Sequence, residues 1–172
     1  MRVRTFLRAA PLLAFALMLG CADANPGSAD GALPTLTEPG IYTLLSSRPT
    51  SQGLSEVSLS LKQVPGGIEL ASAQGELTYD AALLQLAGTV MPEGIEGDVV
   101  EVSPGRVRFV ATLVQGVAEP VLLRLQFSGR EKQVALAREM FSVNLEEVTG
   151  GADLADLTST VRSERLLFVQ SR

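Results

Sequence analysis

The chain has 172 residues, with fourteen Lys or Arg against nineteen Asp or Glu, no histidine and no tryptophan, and a net charge of −5. That length suits one domain and hardly two. Without histidine, Ser-His-Asp and Cys-His catalysis and most zinc sites are excluded, and an acidic chain with no basic stripe argues against nucleic acid as a partner.

Residues 1–20 read as a lipoprotein signal peptide. Arg2, Arg4 and Arg8 form a charged start, and the apolar run from Ala9 to Leu19 has the length of a signal-peptide core rather than of a membrane span. The run ends in "LMLGC", which resembles a bacterial lipobox, with Met18 where Leu is more usual. Cys21 is then the lipidation site and the new N-terminus, and the lipid ties the chain to a membrane. The alternative is an ordinary secretory peptide cut a few residues later, near "ADA". A lipid anchor implies a cell-envelope location, and Ala22 in place of Asp favours the outer membrane over the inner. Loss of the three leader arginines takes the basic residues from fourteen to eleven, against nineteen acidic, so the processed chain carries −8. Cys21 is the one cysteine. No disulfide can form within the chain, and burial alone must hold the domain together.

Residues 21–40, rich in Ala, Gly, Pro, Ser and Asp, have no apolar period and read as a lipid-anchored flexible tether. The domain then runs from 41 to 172. "IYTLLS" is a short apolar strand. "EVSLSLKQV" alternates, with Val57, Leu59 and Leu61 on one face and Ser58, Ser60 and Lys62 on the other. "PGG" at 65–67 is a turn. "IELASAQGELTY" is a long strand in which Ala71, Ala73, Gly75, Leu77 and Tyr79 point inward and Ser72, Gln74, Glu76 and Thr78 outward. Further strands are "GDVVEV", "RVRFVATLV", "PVLLRLQF", "FSVNLEEV" and "RLLFVQ". Helical character is confined to "REKQVALAREMF", 130–141, and "GADLADLTSTV", 151–161, where Leu154 and Leu157 suggest one turn. Many short strands with turn residues between them indicate an all-β fold, a two-sheet antiparallel β-sandwich.

Between the long strand and the next lies "YDAALLQL". The Asp80 carboxylate is expected to accept hydrogen bonds from the following backbone N–H groups and so start a single turn. Tyr79 and Asp80 are therefore structural turn residues. Leu83 and Leu84 are expected to cap one end of the core, with the chain extending again at Leu86.

"VSLSLKQVPGGIELASAQGELTYDAALLQL" resembles the cohesin domain, a family known from cellulosome scaffolds and other bacterial surface proteins. "GRVRFVATLVQG", "PVLLRLQF", "FSVNLEEVTGGADL" and "RLLFVQ" are similar to the family's later strands, so the resemblance covers about 41–172. It implies a jelly-roll of about nine strands and a protein-binding role, since cohesins bind dockerins through a flat sheet face. A dockerin-like partner follows by that analogy alone.

The expected function is thus a non-catalytic binding or assembly module of the cell envelope, with Ser72, Gln74, Glu76 and Thr78 as the candidate partner face. Two alternatives stand beside it: a surface carbohydrate-binding module, and a structural envelope lipoprotein without a specific ligand. Sugar-binding sandwiches present aromatic rings to pyranose faces. This chain's phenylalanines lie in apolar strands, which leaves Tyr42 as the aromatic most open to exposure. A glycosidase needs two carboxylates, but Glu69, Glu76, Asp80, Glu96, Asp98, Glu146 and Glu147 are scattered. No cofactor is expected. Calcium has candidate ligands in two acidic loops, Glu96 and Asp98 (with Glu93 beside them) and Asp153 and Asp156, although neither has EF-hand spacing.

Overall fold

The computed structural model describes residues 35–117, 119–129, 135–151, 153–162 and 166–170. The signal peptide, Cys21 and residues 21–34 of the tether lie outside the described residues. Ten strands follow in order: β1 (Gly40–Pro49), β2 (Ser55–Val64), β3 (Leu70–Tyr79), β4 (Leu84–Val90), β5 (Ile95–Ser103), β6 (Arg106–Val117), β7 (Val121–Gly129), β8 (Phe141–Gly150), β9 (Ala155–Asp156) and β10 (Leu167–Gln170). They form two sheets, one ordered β10-β1-β2-β7-β4 and the other β5-β6-β3-β8-β9. Every pairing is antiparallel except β1 with β10. The chain crosses between sheets after β2, β3, β4, β6, β7 and β9, which makes the architecture a β-sandwich jelly-roll.

The alternation of β2 is what the sheet requires. Val57, Leu59 and Leu61 are buried, and Ser58, Ser60 and Lys62 are partly exposed on the other side. Opposite them stand Ala73 and Leu77 of β3, Val107, Phe109 and Ala111 of β6, and Val143 and Leu145 of β8. Four aromatic rings, drawn in turn from the two sheets, join the layers at one end. Tyr79 meets Phe127 edge-on at 4.9 Å, Phe127 meets Phe141 at 5.7 Å, and Phe141 stacks on Phe168 at 6.1 Å. Such pairs add about 0.5–1.5 kcal/mol beyond the area they bury.

Strand β3 is central, paired with β6 on one side and β8 on the other. A β-bulge in β8 displaces its backbone toward β3 opposite Gly75. A Cβ on Gly75 would run into the Asn144 carbonyl oxygen and lie 3.0 Å from the Leu145 Cα. Only glycine fits that approach.

The ten strands described fit the expected jelly-roll of about nine, the two-residue β9, paired with Thr149 and Gly150, being the extra one. Other details differ from the sequence expectation. A second bulge lies at Ala71, so Leu70 is buried in its place and the inward parity holds only from Ala73 onward. Tyr42 is fully buried on β1, its hydroxyl donating to the Glu38 carbonyl at 2.7 Å, and is not an exposed aromatic. The 3-10 turn in the 151–161 segment falls at Thr158–Thr160, while Leu154 stands outside it with φ 54. In the 130–141 segment a 3-10 turn spans Arg138–Met140, and residues 130–134 lie outside the described residues.

Asp80 ends β3. Its Oδ1 accepts the Ala82 N–H at 2.9 Å and its carbonyl accepts the N–H groups of Leu83 and Leu84, at 3.2 and 2.9 Å. The turn reverses the chain into the other sheet within three residues, and β4 starts at Leu84, two residues before Leu86. Leu84 is 1% exposed and enters the core, but Leu83 is 42% exposed. Leu83 does not cap the core, since strand alternation turns the residue before Leu84 outward. Replacing Asp80 with Ala removes the side-chain acceptor and is expected to cost about 0.5–2 kcal/mol. Chemical denaturation measures that loss, and Asp80→Asn, which keeps an acceptor, should recover most of it.

Candidate functional site

The residues 72, 74, 76 and 78 of the expected partner face all lie on the outer side of β3, in the middle of the second sheet. Register supplies their neighbours. Ser72 lies between Thr112 of β6 and Thr149 of β8, Gln74 between Val110 and Glu147, Glu76 between Arg108 and Asn144, and Thr78 between Arg106 and Ser142. On the far side of β6, Glu96, Asp98 and Val100 of β5 stand opposite Thr112, Val110 and Arg108. The outer surface is therefore one continuous field across β5, β6, β3 and β8.

Most polar groups of that field are tied to one another. Ser72 and Thr149 share a hydroxyl hydrogen bond of 2.7 Å. The Gln74 amide donates to Glu147 at 2.9 Å. Arg106 pairs with Glu76 at 2.6 Å, and Arg108 reaches past β3 to Glu146 at 2.7 Å. The β8 bulge makes this possible, because it turns both Glu146 and Glu147 to the outer side. The hydrogen bond from Arg106 holds the Glu76 carboxyl below the ordinary glutamate range, and the charges of Arg106 and Arg108 act in the same direction. At the rim, Tyr79 donates its hydroxyl to Glu101. Burial, and then that bond, raise the Tyr79 phenol above its ordinary value.

The residues that sequence reasoning missed are apolar. Val100 and Val110 are each 48% exposed, and Val102 and Val114 also stand open on β5 and β6. Together with Gln74, Asp98, Arg108 and Glu146, Val100 and Val110 line a shallow depression of about 140 Å³. The signal was present in "RVRFVATLV": Val110 and Val114 share the parity of Arg106 and Arg108, opposite the buried Val107, Phe109 and Leu113. Close pairing keeps β5 against this strip, for a Cβ on Gly97 would meet the Val110 carbonyl oxygen.

The remaining candidates are dispersed. Glu96 and Asp98 lie on β5, at one edge of the sheet, and Asp153 and Asp156 lie in and beside β9 at the other. The structure does not bring the two acidic pairs together, and no cluster of three or more His, Cys, Asp or Glu side chains suited to a metal occurs among the described residues. Asp98 accepts the Val99 N–H and Asp156 the Thr158 N–H, each at 2.9 Å. Hydrogen bonds from Thr158 hold the Asp156 carboxyl below its ordinary value. Of the scattered carboxylates, Glu76 is held ionised by Arg106, the opposite of what a general acid needs. Glu69 and Asp80 lie beyond the two ends of β3, away from the outer field. Phe109, Phe127, Phe141, Tyr42 and Tyr79 are buried, and Phe168, partly buried, stacks on Phe141.

No family model matches the chain, and no curated protein matches it. Solved structures do. The cohesin module of a Clostridium perfringens family 33 glycoside hydrolase is 15% identical, covers 78% of this chain and 100% of its own, and superposes with a TM-score of 0.51. The sixth cohesin of Acetivibrio cellulolyticus scaffoldin B, solved in complex with a dockerin mutant, is 18% identical over 77% of this chain and 99% of its own, with a TM-score of 0.50. A type I cohesin of Pseudobacteroides cellulosolvens is 12% identical over 76% and 92%, also with a TM-score of 0.50. At such identities the likeness is one of fold, and the fold of this chain is cohesin-like.

A depressed folded-state value for Glu76 has a definite sign. The pair with Arg106 contributes stability above the ordinary glutamate value, and that contribution disappears as pH falls through the lower folded-state value. An NMR titration of the Glu76 carboxyl should give a midpoint below that of an exposed glutamate. Arg106→Gln should move it back up, and an unchanged midpoint in that variant would show that the pair does not set it.

Proposed function

We propose that this cohesin-like chain is a lipid-anchored, non-catalytic module of the cell envelope that binds a protein partner on the outer face of β5-β6-β3-β8. The observation that carries the reading is the surface itself. It is an open sheet face on which Arg106 and Arg108 are paired with Glu76 and Glu146, and Val100 and Val110 stay exposed among them. Interfaces between proteins combine an apolar centre with a polar rim in this way, and exposed aliphatic groups on a sheet face need a reason. The cohesin of scaffoldin B, solved with a dockerin, makes a dockerin the natural first partner to try. Fold does not by itself carry function, so the weight rests on the valines. The polar strip of β3 is then the rim of the docking surface. The lipid anchor at Cys21 rests on "LMLGC" and the basic start of the chain, and two acyl chains are enough for stable attachment. The outer membrane is the expected address.

Val110→Arg places a charge in the middle of the face and leaves the core untouched. It is expected to abolish capture of envelope proteins by the purified domain, and binding of a dockerin module in calorimetry, while the denaturation midpoint stays within about 0.5 kcal/mol of wild type. Retained binding would move the docking surface elsewhere, and glycan binding in its place would favour a carbohydrate module. For the anchor, Cys21→Ser should shift the chain from the membrane to the soluble fraction or leave it unprocessed. Wild-type protein found wholly soluble with an unmodified Cys21 would refute the attachment.

A further inference from the structure

The charge of the outer face is not balanced. Across β5, β6, β3 and β8 it carries five carboxylates, Glu76, Glu96, Asp98, Glu146 and Glu147, against the two guanidiniums of Arg106 and Arg108. Both guanidiniums are consumed internally, by Glu76 and Glu146. Glu147 receives only the neutral amide of Gln74. No described cation pairs with Glu96 or Asp98, and both stand exposed on β5. The apolar exposure is displaced in the same direction. Val100 and Val102 are on β5, and Val110 and Val114 are on β6. Asp98 lies directly opposite Val110 and Glu96 directly opposite Thr112, so unpaired negative charge borders the valines within one strand spacing, about 4.8 Å.

We infer that the partner docks off-centre, over β5 and β6, and that it is a cationic protein surface carrying one aliphatic anchor. This deepens the proposed docking face and rests on it. The anchor seats in the depression of about 140 Å³ that Val100 and Val110 line together with Gln74, Asp98, Arg108 and Glu146. Lysine or arginine groups beside the anchor meet Glu96 and Asp98. The same charges reject the other occupants of an apolar face. A second copy docked face to face would set unpaired carboxylates against carboxylates, and an anionic lipid surface would be repelled.

The test uses two synthetic amphipathic helical peptides with the same leucine face, one bearing lysines on its flanks and the other glutamates. Each is titrated into the uniformly labelled domain and followed by amide NMR. The lysine peptide is expected to bind, to shift amides of Glu96–Glu101 and Arg108–Val114, and to weaken as salt rises. The glutamate peptide is expected not to bind. Reversing both charges, Glu96→Lys with Asp98→Lys, should weaken the lysine peptide by about tenfold or more. The neutral pair Glu96→Gln with Asp98→Asn should give an intermediate loss. Both pairs are exposed, and a wild-type thermal midpoint verifies their folding. Equal binding of the two peptides, shifts confined to the other sheet, or an affinity unmoved by the double reversal would overturn the inference. If Val110→Arg abolishes capture of envelope proteins while the double reversal leaves capture and peptide binding intact, the docking face stands and the cationic partner falls. If Val110→Arg leaves capture intact, the docking face itself fails.

Discussion

Strand β3 is hydrogen-bonded on both edges, and the rest of the molecule depends on that double pairing. Its odd residues from Ala73 onward enter the core, while its even residues hold the middle of the outer field. The pairing is tight enough at Gly75 that no side chain is allowed there. The same bulge that brings β8 close to Gly75 turns Glu146 and Glu147 outward, so the paired charges of the surface are a by-product of how the sheet is assembled. Where β3 ends, Asp80 sends the chain into the opposite sheet within one turn. Core, surface and chain reversal are thus set by β3 and the single residue that follows it.

Much of the fold could be read from alternation. "EVSLSLKQV" and "GELTY" carry a strict two-residue period, and such a period leaves little choice about which side is buried. The Tyr79-Asp80 turn was legible because a carboxylate beside free N–H groups has one obvious use. Legibility stopped where the period breaks. Ala71 follows the parity of its strand in sequence, yet a bulge takes it out of step, and bulges depend on the partner strand. Leu83 and Leu84 are identical in chemistry, and which one enters the core is decided by where β4 begins. Tyr42 is buried by tertiary packing that no local pattern announces.

The candidate face was legible only in part, for a related reason. One strand supplies one row of a surface. Ser72, Gln74, Glu76 and Thr78 were visible as a row, but their neighbours come from β6 and β8, 28 or more residues away. Register is needed to know that Glu76 is answered by Arg106 and that Val110 faces solvent beside Asp98. The polar residues that first attract notice are the ones already engaged, and the unengaged carboxylates and exposed valines are the plainer ones on β5 and β6. Exposed ion pairs of this kind are individually worth little. Their larger effect is to fix which charges remain unanswered.

The one parallel strand pairing among the described residues has a mechanical meaning. β1 and β10 run in the same direction, from Leu44 with Leu167 to Ser47 with Gln170. Gly40 therefore lies at one end of the sandwich and Gln170 at the other. Tension applied between those two residues pulls the strands along each other, so the bonds between them are loaded together in shear. A hairpin held at its open end would instead unzip one bond at a time. Under such a pull, this geometry places the resistance to force in the first and last strands. The outer face of β5, β6, β3 and β8 belongs to the other sheet, across the core from those strands.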